Sequence, residues 1–268
     1  MEPNLRAHRC VEHAVAADRL TEAELEVVLR TVRPLTARAL DAAPQLLNLG
    51  DPFEAETQGA VAASQILGLD HGRVRTAVAV FAALTGREND AAASALLHAT
   101  EVVVGGPARR YVGAEIERLA QAGVPRPRWE PLLRSPVRPG KAWTCSPVLE
   151  SGGAPHAVMA FEFERAGAAH GFIVHRDFRD DGSISKISAI PNIGWDSFRK
   201  FLLAGEAFKS PYAIDEVAFD RAVDRFSGLC AAMRSRLRHD PARFTADPDI
   251  AALPGLALLL EAHIAAAP

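Results

Sequence analysis

Between Ala157 and Glu164 apolar and polar side chains alternate, with Met159, Phe161 and Phe163 on one face and Ala160, Glu162 and Glu164 on the other. A period of two is the signature of a half-buried strand. The run from His170 to Phe178 repeats it, with Phe172, Val174 and Phe178 on one face and Ile173, His175 and Asp177 on the other. A four-residue connection, Ala166 to Ala169, predicts a hairpin that sets Phe163 opposite Phe172 and Phe161 opposite Val174. Asp181-Gly182 is a two-residue turn signal that opens a third strand, Ser183 to Ile190. In that register Asp177 faces Lys186 and His175 faces Ser188. Burying the phenylalanines then gathers Glu162, His175, Asp177, Lys186 and Ser188 on the opposite face. An earlier strand is expected from Lys141 to Glu150, with Pro147 confining it to an edge.

The first half of the chain carries helical spacing instead. Thr21-x-x-Glu24 is a capping box ahead of Leu25, Val28, Leu29 and Val32, and Pro34 is expected to end that helix. Asp51-Pro52-Phe53-Glu54 opens a second helix running to Leu67. Further helices are expected over Val74 to Leu84, Asp90 to Val104, and Pro107 to a glycine cap at Gly123. After the sheet, helices are expected from Trp195 to Leu203, from Ile214 to Leu237, and from Ala251 to Ala266. Five prolines between Val124 and Gly140 make a stiff, extended connection and mark a boundary. The expected layout is α+β: a helical domain over 1–123, a linker over 124–140, and a four-stranded antiparallel sheet packed on C-terminal helices over 141–268.

Composition narrows the function classes. A net charge of −3 gives no electrostatic reason for a nucleic-acid partner or an anionic membrane. The three cysteines, Cys10, Cys145 and Cys230, form no paired spacing, and the first residues carry no apolar core, so a reduced, cytoplasmic protein is expected. The most apolar run, Ile250 to Leu260, holds Pro254 and Gly255 and is about half a bilayer in length. It reads as a core segment or, over 250–267, as a homodimer face.

The stretches LAQAGVPRPRW at 119–129 and DPFEAETQGAVAASQIL at 51–67, followed by a strand around Trp143 and two alternating strands, resemble a family of uncharacterised actinobacterial proteins. The resemblance implies a helical half followed by a small sheet, and a cytoplasmic location. It implies no activity. In that family the second hairpin strand closes on an Asp-His pair and a glycine turn, whereas this chain reads Val174-His175-Arg176-Asp177.

The candidate chemistry lies on the sheet. His175 is placed to act as a general base oriented by Asp177 and facing Ser188, with Glu162 or Lys186 setting the local charge. The plain alternative is a solvated face with an Asp177–Lys186 ion pair worth under about 1 kcal/mol. Ser188 does not sit on the strained turn that catalytic serines use, so ligand binding suits the cluster better than nucleophilic catalysis. His156, His170, His175, Asp177 and Asp181 are weak metal ligands as a set, because His170 and His175 fall on opposite faces. His98 and Glu101 reverse the order of a carboxylate-bridged metal motif, and Gly105-Gly106-Pro107 with Arg109-Arg110 reads as a helix connection before an anion cradle. Arg234 to His239 suits a helix C-terminus. No cofactor and no metal is expected, and no dinucleotide, phosphate-loop or nucleophile-elbow motif occurs. The reading is a cytoplasmic binding or regulatory protein for a protein or small-molecule partner. The alternative is a hydrolase or transferase using Glu162, His175, Asp177 and Ser188.

Overall fold

The structure, a computed structural model, describes residues 5, 8–68, 72–147, 156–178, 183–203, 212–239 and 248–267. The chain divides into two units, Met1–Pro131 and Leu132–Pro268.

The first unit is helical: α1 (Arg9–Asp18), α2 (Glu22–Ala42), α3 (Pro52–Leu67), α4 (Val74–Arg87), α5 (Ala91–Glu101) and α6 (Arg109–Gln121), with 3-10 turns at Ala43–Asn48 and Gly106–Ala108. The capping box forms: Glu24 N–H donates to Thr21 Oγ1 at 3.3 Å, and Thr21 N–H donates to Glu24 Oε2 at 2.9 Å. Asp51 accepts from Phe53 N at 2.9 Å and Asp90 from Ala93 N at 2.8 Å, which satisfies two further helix starts. The start of α4 is capped across the chain, where Asp18 accepts from both the backbone N–H and the hydroxyl of Thr76 at 2.9 Å.

Pro34 does not end its helix. It lies on the exposed side of α2, so the Arg30 carbonyl that loses its partner faces water, and the helix runs on to Ala42. Helices α4 and α5 are buried nearly all round, from Thr76 to Gly86 and from Ala93 to Thr100, and form the centre of the unit. Their side chains are mostly alanine, valine, serine and threonine, which lets backbones approach closely. At Gly59 the approach of α3 to α5 is so close that a Cβ would lie 2.3 Å from the Ala99 carbonyl oxygen. Gly59→Ala is therefore expected to lower the unit's stability by about 1–3 kcal/mol, read as a reduced urea midpoint.

The proline-rich segment is not simply extended. A short helix α7 (Glu130–Leu133) interrupts it, with Pro131 in the first turn where a missing N–H is tolerated. Trp129 is buried and donates its indole N–H to Leu46 O at 2.8 Å.

The described residues of the second unit hold five antiparallel strands, not four: β1 (Val137–Pro147), β2 (His156–Arg165), β3 (Ala168–Asp177), β4 (Ser183–Ile190) and β5 (Tyr212–Val217), in the order β4-β3-β2-β1-β5. Among the described residues three helices accompany them: α8 (Asn192–Leu203), α9 (Phe219–His239) and α10 (Pro248–Ala266). The extra strand takes residues 212–217, where Ile214 and Val217 suggested the start of a long helix; three-residue spacing fits a short strand and a helical turn equally well. Because β5 pairs with β1, that strand is not an edge. Pro147 is tolerated as the last pair of the ladder, and Pro139 sits beside a register irregularity outside the β5 pairing.

Phe161, Phe163, Phe172 and Val174 share one face, as the alternation predicts, but each pairing lies two residues from the expected one. Phe161 faces Phe172, Phe163 faces His170, and Met159 faces Val174. The hairpin closes at Ala166-Gly167, with φ of 52° and 81°, so the strand includes Ala168 and Ala169. A slip of two preserves faces. The β3–β4 ladder is likewise displaced by two, and it carries a bulge at Ser185 that turns Ile184 and Ile187 to the same face.

Both faces of this sheet are covered. On the phenylalanine face, Phe161 meets the rings of Phe219 and Phe226 at 5.9 and 5.8 Å, and Phe163 meets His263 at 5.3 Å. Leu253, Leu256, Leu259 and Leu260 of α10 are buried. The opposite face packs Trp143, Ala160, Cys145, Val158 and Ile173 against Trp195 and Phe198 of α8. Among the described residues no helix is long and apolar enough to cross a membrane.

Candidate functional site

Strand pairing puts Glu162, His175, Asp177, Lys186 and Ser188 on one face but sets Glu162 and His175 far apart. Glu162 faces Gly171, and His175 lies four residues further along β3, about 13 Å at the rise of a strand. Between them stand Ala160 and Ile173 under α8. Glu162 Oε2 accepts from the Trp195 indole N–H at 2.9 Å, and Arg199 Nη1 lies 3.5 Å away. Its carboxylate thus fixes α8 to the sheet. At the other end His175 faces Lys186, not Ser188, which faces Ile173; Asp177 faces Ser183. The expected pairings, His175 with Ser188 and Asp177 with Lys186, are corrected by the two-residue displacement and, beyond His175, by the bulge.

The other sequence candidates are placed as follows. His170 is buried on the phenylalanine face, and His156 faces Asp177 across the β2–β3 ladder. Asp180, Asp181 and Gly182 lie outside the described residues. Arg109 Nε donates to Glu101 at 3.2 Å. Arg110 donates to the Tyr111 hydroxyl at 2.9 Å and also reaches His13, so this arginine pair serves helix packing. His98 is buried within α5. Of the basic run, Arg234 pairs with Glu261 of α10, Arg236 donates to Ser183 Oγ at 2.6 Å, and His239 reaches Ser235 O at 2.6 Å. The first two contacts tie α9 to its neighbours, and the third stays within the helix.

Two buried groups are chemically quiet. Burial foremost, with the neighbouring Asp215 charge, pushes the Cys145 thiol up to about 11; burial and Glu261 push Cys230 up to about 12. Neither is a thiolate near neutral pH. His170 and His263 are 2% and 1% exposed, with Nε2 and Nδ1 3.2 Å apart among Phe163 and Phe172. Burial, then the His263 and Arg165 charges, hold His170 down at about 3, which keeps it neutral.

The feature with binding geometry was not among the expected sites. At the end of the sheet, between β1, β2, β3 and α9, a cavity of about 300 Å³ is lined by Thr144, Ala157, Met159, Arg176, Arg225 and Leu229. Such a volume suits a small ligand. Met159, Ala157 and Leu229 supply an apolar floor, while Arg176 and Arg225 bring two guanidinium groups. The Arg176 guanidinium stacks 5.1 Å from the Phe178 ring centroid. Burial first, and the Arg225 charge second, hold its pKa below the ordinary arginine value. Gly228 also lines the opening, and a Cβ there would meet nothing within 4 Å. A glycine inside α9 thus weakens the helix by about 0.5–1 kcal/mol without any close approach to require it, and its effect is to leave the mouth unfilled.

One signal for this cleft exists in the sequence. Arg176 follows Phe172 and Val174 at a spacing of two, so it falls on the otherwise apolar face, where a cation needs a reason. Arg225 sits three residues after Ala222 on α9, beside the buried stripe of Ala222, Phe226, Cys230 and Met233. Only the fold brings the two together.

Comparison with protein-family models, with curated proteins and with solved structures finds no match for this chain.

Proposed function

We propose that this is a binding protein whose C-terminal unit takes a small ligand with an anionic head and an apolar body in the cleft between the sheet end and α9. The observation that carries the reading is the pair Arg176 and Arg225 converging on a 300 Å³ cavity with an apolar floor. Guanidinium groups make charge-assisted bonds to phosphate and carboxylate oxygens, and an anion seated between two of them relieves their mutual repulsion. Binding is favoured over a hydrolase or transferase built on Glu162, His175, Asp177 and Ser188 because strand pairing sets His175 against Lys186 and leaves Glu162 holding Trp195 at the far end.

Calorimetric titration with phenyl phosphate and with inorganic phosphate tests the reading. Phenyl phosphate is expected to bind more tightly, through the floor formed by Met159 and Leu229. Arg225→Ala removes an exposed side chain and is expected to weaken phenyl phosphate binding about tenfold or more. Gly228→Leu fills the mouth and is expected to abolish it. Equal affinity in wild type, Arg225→Ala and Gly228→Leu, or no binding by the wild type at millimolar ligand, would overturn the proposal.

A further inference from the structure

In the helical unit, His8, Cys10 and Glu115 each present one donor atom, and the three atoms lie within 4.8 Å of one another. His8 and Cys10 come from the start of α1, where His8 is the N-cap residue and Cys10 lies in the first turn. Glu115 comes from α6 and is buried, with 3% of its surface exposed. A buried carboxylate requires compensating partners. His8 Nε2 lies 3.0 Å from Oε1, and Arg118 Nε donates to Oε2 at 2.9 Å. His8 Nδ1 is itself buried with no hydrogen-bond partner, so the ring has its one polar contact toward Glu115.

We propose that His8, Cys10 and Glu115 form a site for a zinc-class divalent ion, independent of the cleft in the C-terminal unit. A nitrogen, a thiolate and one carboxylate oxygen are the donor types zinc accepts, at about 2.0–2.3 Å, and the sulfur selects against calcium and magnesium. His8 Nε2, Cys10 Sγ and Glu115 Oε1 are the ligands, and water or a further donor completes the tetrahedron. Arg118 remains on Oε2 and fixes the carboxylate, the outer-partner role that second-sphere groups play at metal sites. His8 and Cys10 are both partly exposed, which gives the ion a route in. Burial chiefly, and the Glu115 charge next, raise the Cys10 thiol above its ordinary pKa, with the Arg110 charge acting the other way. The thiol is protonated before binding, so each ion bound breaks one S–H bond, forms one metal–sulfur bond and releases one proton to buffer. Coordination through Nε2 leaves the ring proton on Nδ1.

Cobalt titration of the full chain reads the sulfur directly. The expected result is a near-ultraviolet thiolate-to-cobalt charge-transfer band that saturates at one ion per chain and is displaced by zinc. Cys10→Ser is nearly isosteric at a partly exposed position; it is expected to remove the band and weaken zinc binding at least about tenfold, while circular dichroism keeps the wild-type helical signal. His8→Gln is expected to weaken zinc binding similarly while retaining Cys10. Zinc titrations in buffers of different ionisation enthalpy are expected to report release of the thiol proton on binding. A wild-type chain that gives no charge-transfer band in excess cobalt, or a Cys10→Ser chain that keeps wild-type zinc affinity, would overturn the proposal.

Discussion

Acidification from about pH 7 to about pH 4.5 is expected to remove about 3 kcal/mol of stability from the C-terminal unit, before most carboxylates titrate. The cause is His170. In the folded unit burial, then the charges of His263 and Arg165, hold its pKa at about 3, whereas an unfolded histidine titrates near 6.5. Below pH 6.5 the unfolded chain binds a proton that the folded unit refuses. Stability is therefore complete above that value and falls by about 1.4 kcal/mol per pH unit as the pH drops toward the folded value. Protonation of His170 would place a cation 3.2 Å from the His263 ring nitrogen, among Phe163 and Phe172. Urea midpoints read by tryptophan fluorescence at several pH values measure the slope. The His170→Phe chain is expected to show a flatter acid limb than the wild type. Parallel limbs in the two chains would show that this pair does not set the acid sensitivity.

Gly171→Ala is expected to cost about 3 kcal/mol or more, at the upper end of what overpacking a core costs. Gly171 sits on β3 opposite Glu162, directly beneath α8. A Cβ there would lie 2.2 Å from Cζ3 of Trp195 and 2.6 Å from the Phe161 carbonyl oxygen, neither of which has room to move. Trp195 is fully buried, 6.4 Å from the ring centroid of Trp143, and its indole N–H is bound to Glu162. Making room for one methyl group means lifting α8, which breaks that hydrogen bond and wets both indoles. A red-shifted tryptophan emission together with a lowered urea midpoint is the expected result. A variant with unchanged emission and midpoint would contradict the tight seating of α8 on the sheet.

Much of the fold was legible because local chemistry decides local structure. Thr21 with Glu24, Asp51 with Pro52, and Asp90 each name a helix start, and each makes the backbone contact its residue type implies. The alternation through Phe161, Phe163, Phe172 and Val174 named the strands and their inner face correctly. Register was not legible. Ala166-Gly167 forms the two-residue turn through an alanine at positive φ, an unfavourable place for a side chain that only the pairing of the flanking strands justifies. Hence Ala168 and Ala169 read as loop. The face carrying Glu162 and His175 read as solvated because its charges stand out. Val158, Ala160, Ile173 and Trp143 on the same side were the contrary signal, since a sheet buried on both faces carries near-continuous apolar runs. The cleft had one local signal, Arg176 on an otherwise apolar face, and its second arginine had none. Arg176 and Arg225 stand 49 positions apart, and their approach depends on how α9 crosses the sheet.

Nuclear magnetic resonance of the arginine Nε–Hε groups during a phenyl phosphate titration observes directly where an anion sits. Saturable shifts are expected at Arg176 and Arg225 and at the amides of Thr144 and Gly228, with Arg199, Arg234 and Arg236 left in place. Shifts spread evenly over the exposed arginines, or concentrated around Glu162 and His175 with none at Arg225, would contradict the assignment of the cleft as the binding site.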